Sequence, residues 1–182
     1  MSLQIYILGS LWEKEIHPYE IKKRITENTS GTVTITDGNL YYNFDALHKK
    51  GYIEKVETVP SDNYPDKSFY GITEQGREAL KNMIYKSFTA PKDVRSLLAP
   101  LFFVRLVDMN RIIFLLQQAV EQREQDLASK RERSSNWTAP DITPEYEECH
   151  SFLIRFSLSR RESDLNSLKD LLGVIQRMNN QQ

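Results

Sequence analysis

The sequence predicts a mainly α protein with one small β-hairpin, divided into a winged helix-turn-helix domain over residues 1–88 and an α-helical domain over residues 89–182. Two observations predict this class. Patterns in the first 86 residues follow the order helix, helix, helix, hairpin, helix, which is the order of a winged helix-turn-helix. Beyond residue 94 apolar residues recur at helical spacing and no strand pattern is present. A length of 182 residues with 40% hydrophobic residues suits one or two small globular domains.

Two helices are predicted before residue 29. Residues 2–12 carry apolar side chains at helical spacing on a wide stripe, which indicates a largely buried helix. Proline suits the first turn of a helix, so Pro18 marks the start of a second helix that runs to about Asn28. Residues 29–36 are rich in β-branched residues and predict a short extended connection.

A third helix is predicted from Asp37, whose side chain can cap its N-terminus, to Gly51, which ends it. Leu40, Phe44 and Leu47 recur at spacings of four and three, so they should bury one face. The opposite face carries Asn39, Tyr42, Asn43, Ala46 and Lys50.

A β-hairpin and a fourth helix complete the first domain. Two strand patterns, residues 53–59 and 67–72, flank a polar turn at residues 60–66 that contains two prolines. Thr73 can then cap a helix that extends to about Lys86.

The second half predicts long helices after a boundary at residues 87–94. Asp108 can cap a long amphipathic helix, and a loop with two prolines follows at residues 134–144. Thr143 followed by Pro144 resembles a cap with proline at the first helical position of the last helix.

Composition excludes several functional classes. The chain has 24 basic and 25 acidic residues, and residues 1–86 carry 11 basic and 12 acidic groups, so a nucleic-acid partner would require basic residues gathered on one face. The single cysteine, Cys149, excludes an intrachain disulfide, and with His150 it forms no nucleophile–base pair because adjacent helical side chains diverge. We expect a core cysteine beside a surface histidine, no metal site, no cofactor and no enzyme activity. The absence of a long apolar run or a leader pattern predicts a cytoplasmic protein without membrane contact.

The third helix has the side chains that reading DNA requires. Asp45 is its only acidic residue between Asp37 and Glu54, whereas asparagine can pair with adenine and tyrosine hydroxyls can reach phosphate. Its polar groups are Asn39, Tyr41, Tyr42, Asn43, Lys49 and Lys50. Further basic residues fall on the same predicted motif: Lys22, Lys23 and Arg24 on the second helix and Lys67 at the hairpin tip. Each cluster alone would more often be a solvated face, but their coincidence on one motif favours DNA binding.

Four blocks of this sequence resemble the PadR family of bacterial transcriptional regulators. They are ILGSL (7–11), HPYEIKKR (17–24), GNLYYNFDALHKKGYIE (38–54) and YGITEQGREAL (70–80). The resemblance implies a winged helix DNA-binding domain followed by a helical dimerisation domain, as in the subgroup with larger C-terminal domains. It also implies a repressor whose DNA affinity falls when a small molecule binds. Pro18 and Tyr42 depart from the family pattern, and Tyr42 places a bulky group on the groove-facing side.

The resemblance assigns contacts to individual side chains. It implies phosphate contacts for Tyr19, Lys22 and Tyr41, base contacts for Asn39 and Asn43, and a backbone or minor-groove contact for Lys67. The full predicted DNA-binding set is Tyr19, Lys22, Lys23, Asn39, Tyr41, Tyr42, Asn43, Lys49 and Lys67. The alternatives are a half-buried core aromatic for Tyr41 and a solvated helix residue for Asn43.

The helical half is expected to form a homodimer that engages two half-sites of a pseudo-palindromic double-stranded operator. Its apolar stripes exceed what one short bundle would cover. The predicted dimerisation residues are Leu3, Ile7, Leu101, Ile112, Leu116, Val120, Leu153, Phe156, Leu165, Leu168 and Leu172. Trp12, Phe103 and Trp137 could line a cavity between the domains for a small apolar or phenolic effector, although each could equally be a core or interface residue.

A second hypothesis is a winged helix adaptor that binds another protein and no DNA. The near-neutral charge is consistent with it. A continuous positive strip across Lys22, Lys23, Lys49 and Lys67 would favour DNA, and its absence would favour the adaptor.

Overall fold

A computed structural model describes residues 3–28, 34–59, 67–136 and 143–181. These residues form seven α-helices and one two-stranded antiparallel sheet, in agreement with the predicted mainly α class. The predicted turn at 60–66, most of the predicted connection at 29–36 and Trp137 lie outside the described residues. The chain divides into two compact units, residues 1–87 with 96–107 and residues 88–95 with 108–182.

The first three helices are α1 (Leu3–Ser10), α2 (Pro18–Asn28) and α3 (Asp37–Lys49). The apolar α1 is buried on nearly all sides, as expected, and α2 has the predicted bounds. Gly51 follows α3 with a φ of 71°, which confirms its predicted role as a helix stop.

The N-cap of α3 differs from the prediction. Thr36, and not Asp37, is the cap, and its hydroxyl accepts a hydrogen bond from the Asn39 amide at 3.4 Å. Both residue types are good caps, but the Asp37 carboxylate binds Lys22 on α2 at 2.7 Å. Thr36 has the extended backbone of an N-cap residue, with φ −76° and ψ 150°, whereas Asp37 is already the first helical residue.

The hairpin consists of β1 (Ile53–Val59) and β2 (Lys67–Ile72), with Ile53 opposite Ile72. A bulge lies between Lys55 and Glu57. Ile16, which precedes α2, adds a bridge to this sheet through two backbone hydrogen bonds with Tyr70 of 3.0 and 3.2 Å. The sequence pattern did not predict this bridge.

Helix α4 (Glu74–Thr89) begins after Thr73, whose hydroxyl accepts a hydrogen bond from the Gly76 amide at 3.0 Å and confirms the predicted cap. A 3₁₀ segment (Val94–Leu97) then leads to the short helix α5 (Leu98–Phe102) and a second 3₁₀ segment (Val104–Leu106).

Residues 96–107 belong to the first unit, although the sequence boundary assigned them to the second half. Helix α1 has no polar face, so it needs apolar cover on every side. Phe102 and Phe103 supply it, with ring centroids 5.6 and 5.5 Å from that of Tyr6 in edge-to-face contacts.

The second unit consists mainly of α6 (Met109–Ser135) and α7 (Pro144–Asn180). Asp108 caps α6 as predicted, whereas Thr143 occupies the N-cap of α7 without a side-chain hydrogen bond. The helices are antiparallel, and ion pairs join Arg131 to Glu162 at 2.9 Å and Lys169 to Glu124 at 2.6 Å. Their buried seam includes Ile112, Leu116, Leu165, Leu168 and Ile175.

Candidate nucleic-acid interface

Helix α3 has one buried and one exposed face. Leu40, Phe44 and Leu47 are at most 1% exposed, as their spacing predicts. These three anchors fix the rotation of the helix, because any turn about its axis would expose apolar surface. The polar side is consequently directed away from the core of the first unit.

The centre of the exposed face holds two amide side chains. The Asn43 Nδ2 group donates hydrogen bonds to the Asn39 side-chain oxygen at 2.9 Å and to the Asn39 carbonyl at 2.8 Å. Tyr42 is 72% exposed beside them. The two amides are thus held one helical turn apart, and the Asn39 Nδ2 donors and the Asn43 Oδ1 acceptor can meet base edges.

Tyrosines flank this face. Tyr41 is 48% exposed and is not a core residue, and Tyr19 on α2 is 63% exposed. Below α3, the ring of Tyr70 lies 5.0 Å from that of Phe44. Burial raises the pKa of Tyr70, and the nearby Asp45 and Tyr41 raise it further. Two exposed phenols are therefore available as hydrogen-bonding groups, whereas Tyr70 remains a packing residue.

Two of the predicted basic residues are bound to carboxylates. Lys22 contacts Asp37 at 2.7 Å, and Lys23 lies 3.8 Å from Glu27 one turn along α2. Such exposed pairs contribute only about 0–1 kcal/mol, so a phosphate can replace the carboxylate.

The remaining predicted lysines lie on α3 and the hairpin. Lys49 is exposed at the last residue of α3, and the Lys50 ammonium lies 6.0 Å from the Tyr52 ring centroid. Lys67 is the first residue of β2, and its side chain is outside the described part of the structure.

Sequence reasoning did not find the Lys22–Asp37 pair. The residues are 15 positions apart on different helices, so no spacing rule joins them. A lysine on α2 and an acid at the start of α3 were the only available signal, and they do not fix the approach of the helices.

Trp12 and Phe103, which were predicted as ligand residues, line a cavity of about 350 Å³ formed by residues of the first unit. Arg24 and Arg105 add positive charge to its wall, and the Asn28 amide donates to the Tyr6 hydroxyl at 2.7 Å. The cavity therefore combines aromatic surface with cations. Its other lining residues are Tyr6, Gly9, Ser10, Glu13, Lys14, Asn28, Phe102 and Leu106.

The predicted dimerisation residues fall into three groups. Leu3, Ile7, Ile112, Leu116, Val120, Leu165 and Leu168 are buried within the single chain, and Leu101 and Leu172 are partly buried. Of the predicted dimerisation residues, only Leu153 and Phe156 are largely exposed, at 60% and 55%. Together with Tyr146 and Phe152, they form what we call the α7 apolar face, in which the Phe152 and Phe156 rings stack at 6.1 Å. The buried residues can add little area to an interface with another chain.

Two further expectations from the sequence concern metal ions and the single cysteine. They contain no group of His, Cys, Asp and Glu residues arranged to hold a metal ion. Cys149 is exposed and His150 is partly buried, so the expectation of a core cysteine beside a surface histidine was wrong. The error arose because Cys149 shares the helical spacing of Phe152, Leu153 and Phe156. That spacing predicted burial, but these residues form the exposed α7 apolar face. Within the described helices, none is long and apolar enough to cross a membrane.

Comparison with known proteins agrees with this architecture. The profile of the family described as "Transcriptional regulator PadR-like family" matches residues 7–82. A protein of Lysinibacillus sphaericus, described as uncharacterized protein X, is 32% identical over 92 residues, which are 50% of this chain and 83% of that protein.

Solved structures give weaker likenesses. A transcriptional regulator from Clostridium thermocellum is 28% identical with a TM-score of 0.41, over 46% of this chain and 78% of that one. Bacillus subtilis PadR in complex with operator DNA is 18% identical with a TM-score of 0.45, over 96% and 99% of the two chains. The same protein in complex with p-coumaric acid is 18% identical with a TM-score of 0.41, over 96% and 98%.

The hairpin beside three helices, with the polar face of α3 exposed, defines a winged helix protein. The family match covers α2, α3 and the hairpin completely, and α1 and α4 in part. The chain belongs to the PadR-like family of transcriptional regulators, and this is a family of regulators and not of enzymes.

Proposed function

We propose that this regulator binds double-stranded operator DNA sequence-specifically, as a homodimeric repressor. The observation that carries the proposal is the polar face of α3, on which Asn39 and Tyr42 are exposed and Asn43 is partly buried. A recognition helix of this type lies in the major groove, where asparagine can form two hydrogen bonds with adenine. The buried residues of α3 leave that face free to enter the groove.

The proposed contacts divide by chemistry. Asn39 and Asn43 contact base edges, and Tyr42 beside them also lies in the major groove. Phosphate contacts come from the remaining predicted residues: Tyr19, Lys22, Lys23, Tyr41, Lys49 and Lys67. Phosphate contacts set affinity and its salt dependence, whereas base contacts set specificity.

A mobility-shift titration against the protein's own upstream DNA across a salt series tests this proposal. Lys67→Ala should weaken binding equally on all duplexes and reduce the salt slope by about 1, whereas Asn43→Ala should cost about 1–3 kcal/mol of discrimination at one base position. Lys86→Ala, at an exposed position on α4, is a matched control and should change neither. Absence of binding at low salt, or binding independent of salt, would contradict the proposal.

Dimerisation is proposed to use the α7 apolar face. Four large apolar side chains on one helix are each more than half exposed, and a second chain is the simplest cover for them. Leu153→Glu with Phe156→Glu should shift sedimentation toward the monomer. Asn166→Glu with Ser167→Glu adds the same two charges at exposed positions of α7, about 15 Å along the axis after Phe156, and should leave the dimer intact. A double variant that remains dimeric would place the interface elsewhere.

A small apolar or phenolic effector is proposed to bind in the cavity beside Trp12 and Phe103. The aromatic wall suits an apolar ring, and Arg24 and Arg105 suit an attached anionic group. Titration with p-coumaric acid as a probe should change tryptophan fluorescence and weaken DNA binding. Arg105→Gln should weaken the probe's binding, and an unchanged affinity would argue against this site.

The adaptor hypothesis has one observation in its favour. Lys22 and Lys23 both contact carboxylates, which weakens a positive strip across α2. The same mobility-shift experiment separates the two functions, because an adaptor would show no salt-dependent binding to any duplex. A calculated surface potential of the dimer without a continuous positive strip would favour the adaptor.

A further inference from the structure

The Lys22–Asp37 pair connects α2 to the first turn of α3. The Lys22 ammonium lies 2.7 Å from Asp37 Oδ1, and the Lys22 and Asp37 side chains are 32% and 67% exposed. Asp37 is the first residue of α3, directly after the Thr36 cap. The pair is thus at the end of the recognition helix whose residues approach base edges in this class of domain.

Asp37 is an unfavourable residue for contact with DNA but a favourable one for the helix. A carboxylate near a helix N-terminus interacts well with the exposed backbone amides and the helix dipole. A carboxylate close to the phosphate backbone, in contrast, repels it and neutralises a neighbouring ammonium. The Asp37 side chain therefore stabilises α3 but weakens the binding of DNA phosphates next to it.

We propose that Asp37 restrains DNA affinity by competing with phosphate for the Lys22 ammonium. This inference rests on the proposed DNA-binding function. In the free protein Lys22 is held by Asp37, so a phosphate contact by Lys22 requires exchange of one anionic partner for another. This exchange is less favourable in free energy than the binding of a phosphate to a lysine that has no carboxylate partner. Asp37 is thus a positioning residue that makes affinity depend more on the base contacts of Asn39 and Asn43.

The competition should be visible in the salt dependence. Each phosphate that a lysine neutralises contributes about 0.9 to the slope of log affinity against log salt concentration. A Lys22 that stays with Asp37 in complexes with unrelated DNA contributes little to that slope. Removal of the Asp37 charge should therefore steepen the slope as well as raise the affinity.

Asp45 provides a matched control on the same helix. It is exposed and lies eight residues after Asp37, which is about 12 Å along the axis, beside Tyr70 and away from Lys22. Asp45→Asn removes one negative charge from α3 without releasing Lys22. Comparison with Asp37→Asn separates competition for Lys22 from the general effect of charge.

The experiment measures binding of the full chain to its upstream DNA and to an unrelated duplex across a salt series. Asp37→Asn should raise affinity for both duplexes about three- to fivefold and steepen the salt slope on the unrelated duplex by up to about 0.9, with a smaller change for Asp45→Asn. In the Asp37→Asn background, Lys22→Met should remove both the gain and the added slope. Circular dichroism of each variant checks that α3 remains folded.

Several outcomes would overturn the inference. Equal gains from Asp37→Asn and Asp45→Asn would indicate a general charge effect, and a gain that survives Lys22→Met would exclude Lys22 as the competitor's target. Lower affinity after Asp37→Asn would show that Asp37 orients Lys22 or contacts a base. If wild type itself binds no DNA at low salt, the proposed function fails together with this inference, whereas a normal wild-type titration without a gain rejects the inference alone.

Discussion

Gly76 lies where α4 approaches the backbone that leaves α3. It is buried, and a Cβ atom at this position would overlap the Tyr52 carbonyl oxygen and lie 2.9 Å from both the Tyr52 carbonyl carbon and Ile72 Cγ1. The same carbonyl oxygen accepts a hydrogen bond from the Thr73 amide at 3.1 Å. Gly76→Ala therefore forces α4 and the start of the hairpin apart.

The size of the effect follows from these contacts. Carbon atoms pack at about 3.5–4.0 Å, so the backbone must move by about 1 Å to accept the new methyl group. Overpacking of this kind costs about 1–3 kcal/mol, and loss of the Thr73 hydrogen bond adds about 1 kcal/mol. We expect the free energy of unfolding of the first unit to fall by about 2–4 kcal/mol, which lowers its melting temperature by roughly 10 °C or more.

Gly38→Ala is the matched comparison. Gly38 is a helical residue of α3 with no atom within 4 Å of the place that an added methyl group would take, so alanine should stabilise the helix by about 0.5–1 kcal/mol. Thermal denaturation followed by circular dichroism, with hydrogen exchange of residues 37–87 to localise the change, measures both variants. If Gly76→Ala is as stable as wild type, or if both variants change the free energy of unfolding in the same direction, close backbone packing does not explain why position 76 is glycine.

Thr73→Ala should lower the free energy of unfolding by about 1–2 kcal/mol in urea titrations, because the Thr73 hydroxyl also donates to the Gly51 carbonyl at 2.6 Å. Burial raises the pKa of Tyr6, against a smaller lowering by the Asn28 hydrogen bond, so the folded state favours the neutral phenol. The stability that the neutral Tyr6 phenol contributes is present below its unfolded pKa near 10.0 and is lost as the pH rises through its higher folded pKa. The urea midpoint of the wild type should therefore decrease between about pH 9 and about pH 11, and that of Tyr6→Phe should decrease less. Leu168→Ala should destabilise the second unit by about 2–5 kcal/mol, measured by the same titration, since Leu168 is fully buried between α6 and α7.

The sequence was sufficient for features that depend on local chemistry. The start of α2 follows from Pro18, and the end of α3 follows from Gly51. The exposed and buried faces of α3 follow from the spacing of its apolar residues. Each of these needs only a few neighbouring residues.

Features that depend on the approach of distant segments could not be predicted. Asp37 was expected to cap α3, but Lys22 binds its carboxylate, and Thr36 is the cap. The assignment of residues 96–107 to the first unit depends on Phe103 covering α1, and no local pattern encodes that contact. The DNA-binding and dimerisation residues remain predictions, since they concern partners that the chain itself does not contain.

Trp12 makes the first unit optically observable. Its indole ring lies 4.5 Å from the Arg77 guanidinium and 6.0 Å from the Lys81 ammonium, so two cations of α4 sit over a chromophore that follows α1. The chain has two tryptophans, and Trp137→Phe would leave Trp12 as the sole tryptophan, which can be excited selectively over the tyrosines. Its emission wavelength and quenching would then follow the separation of α1 from α4 in real time, without an added dye.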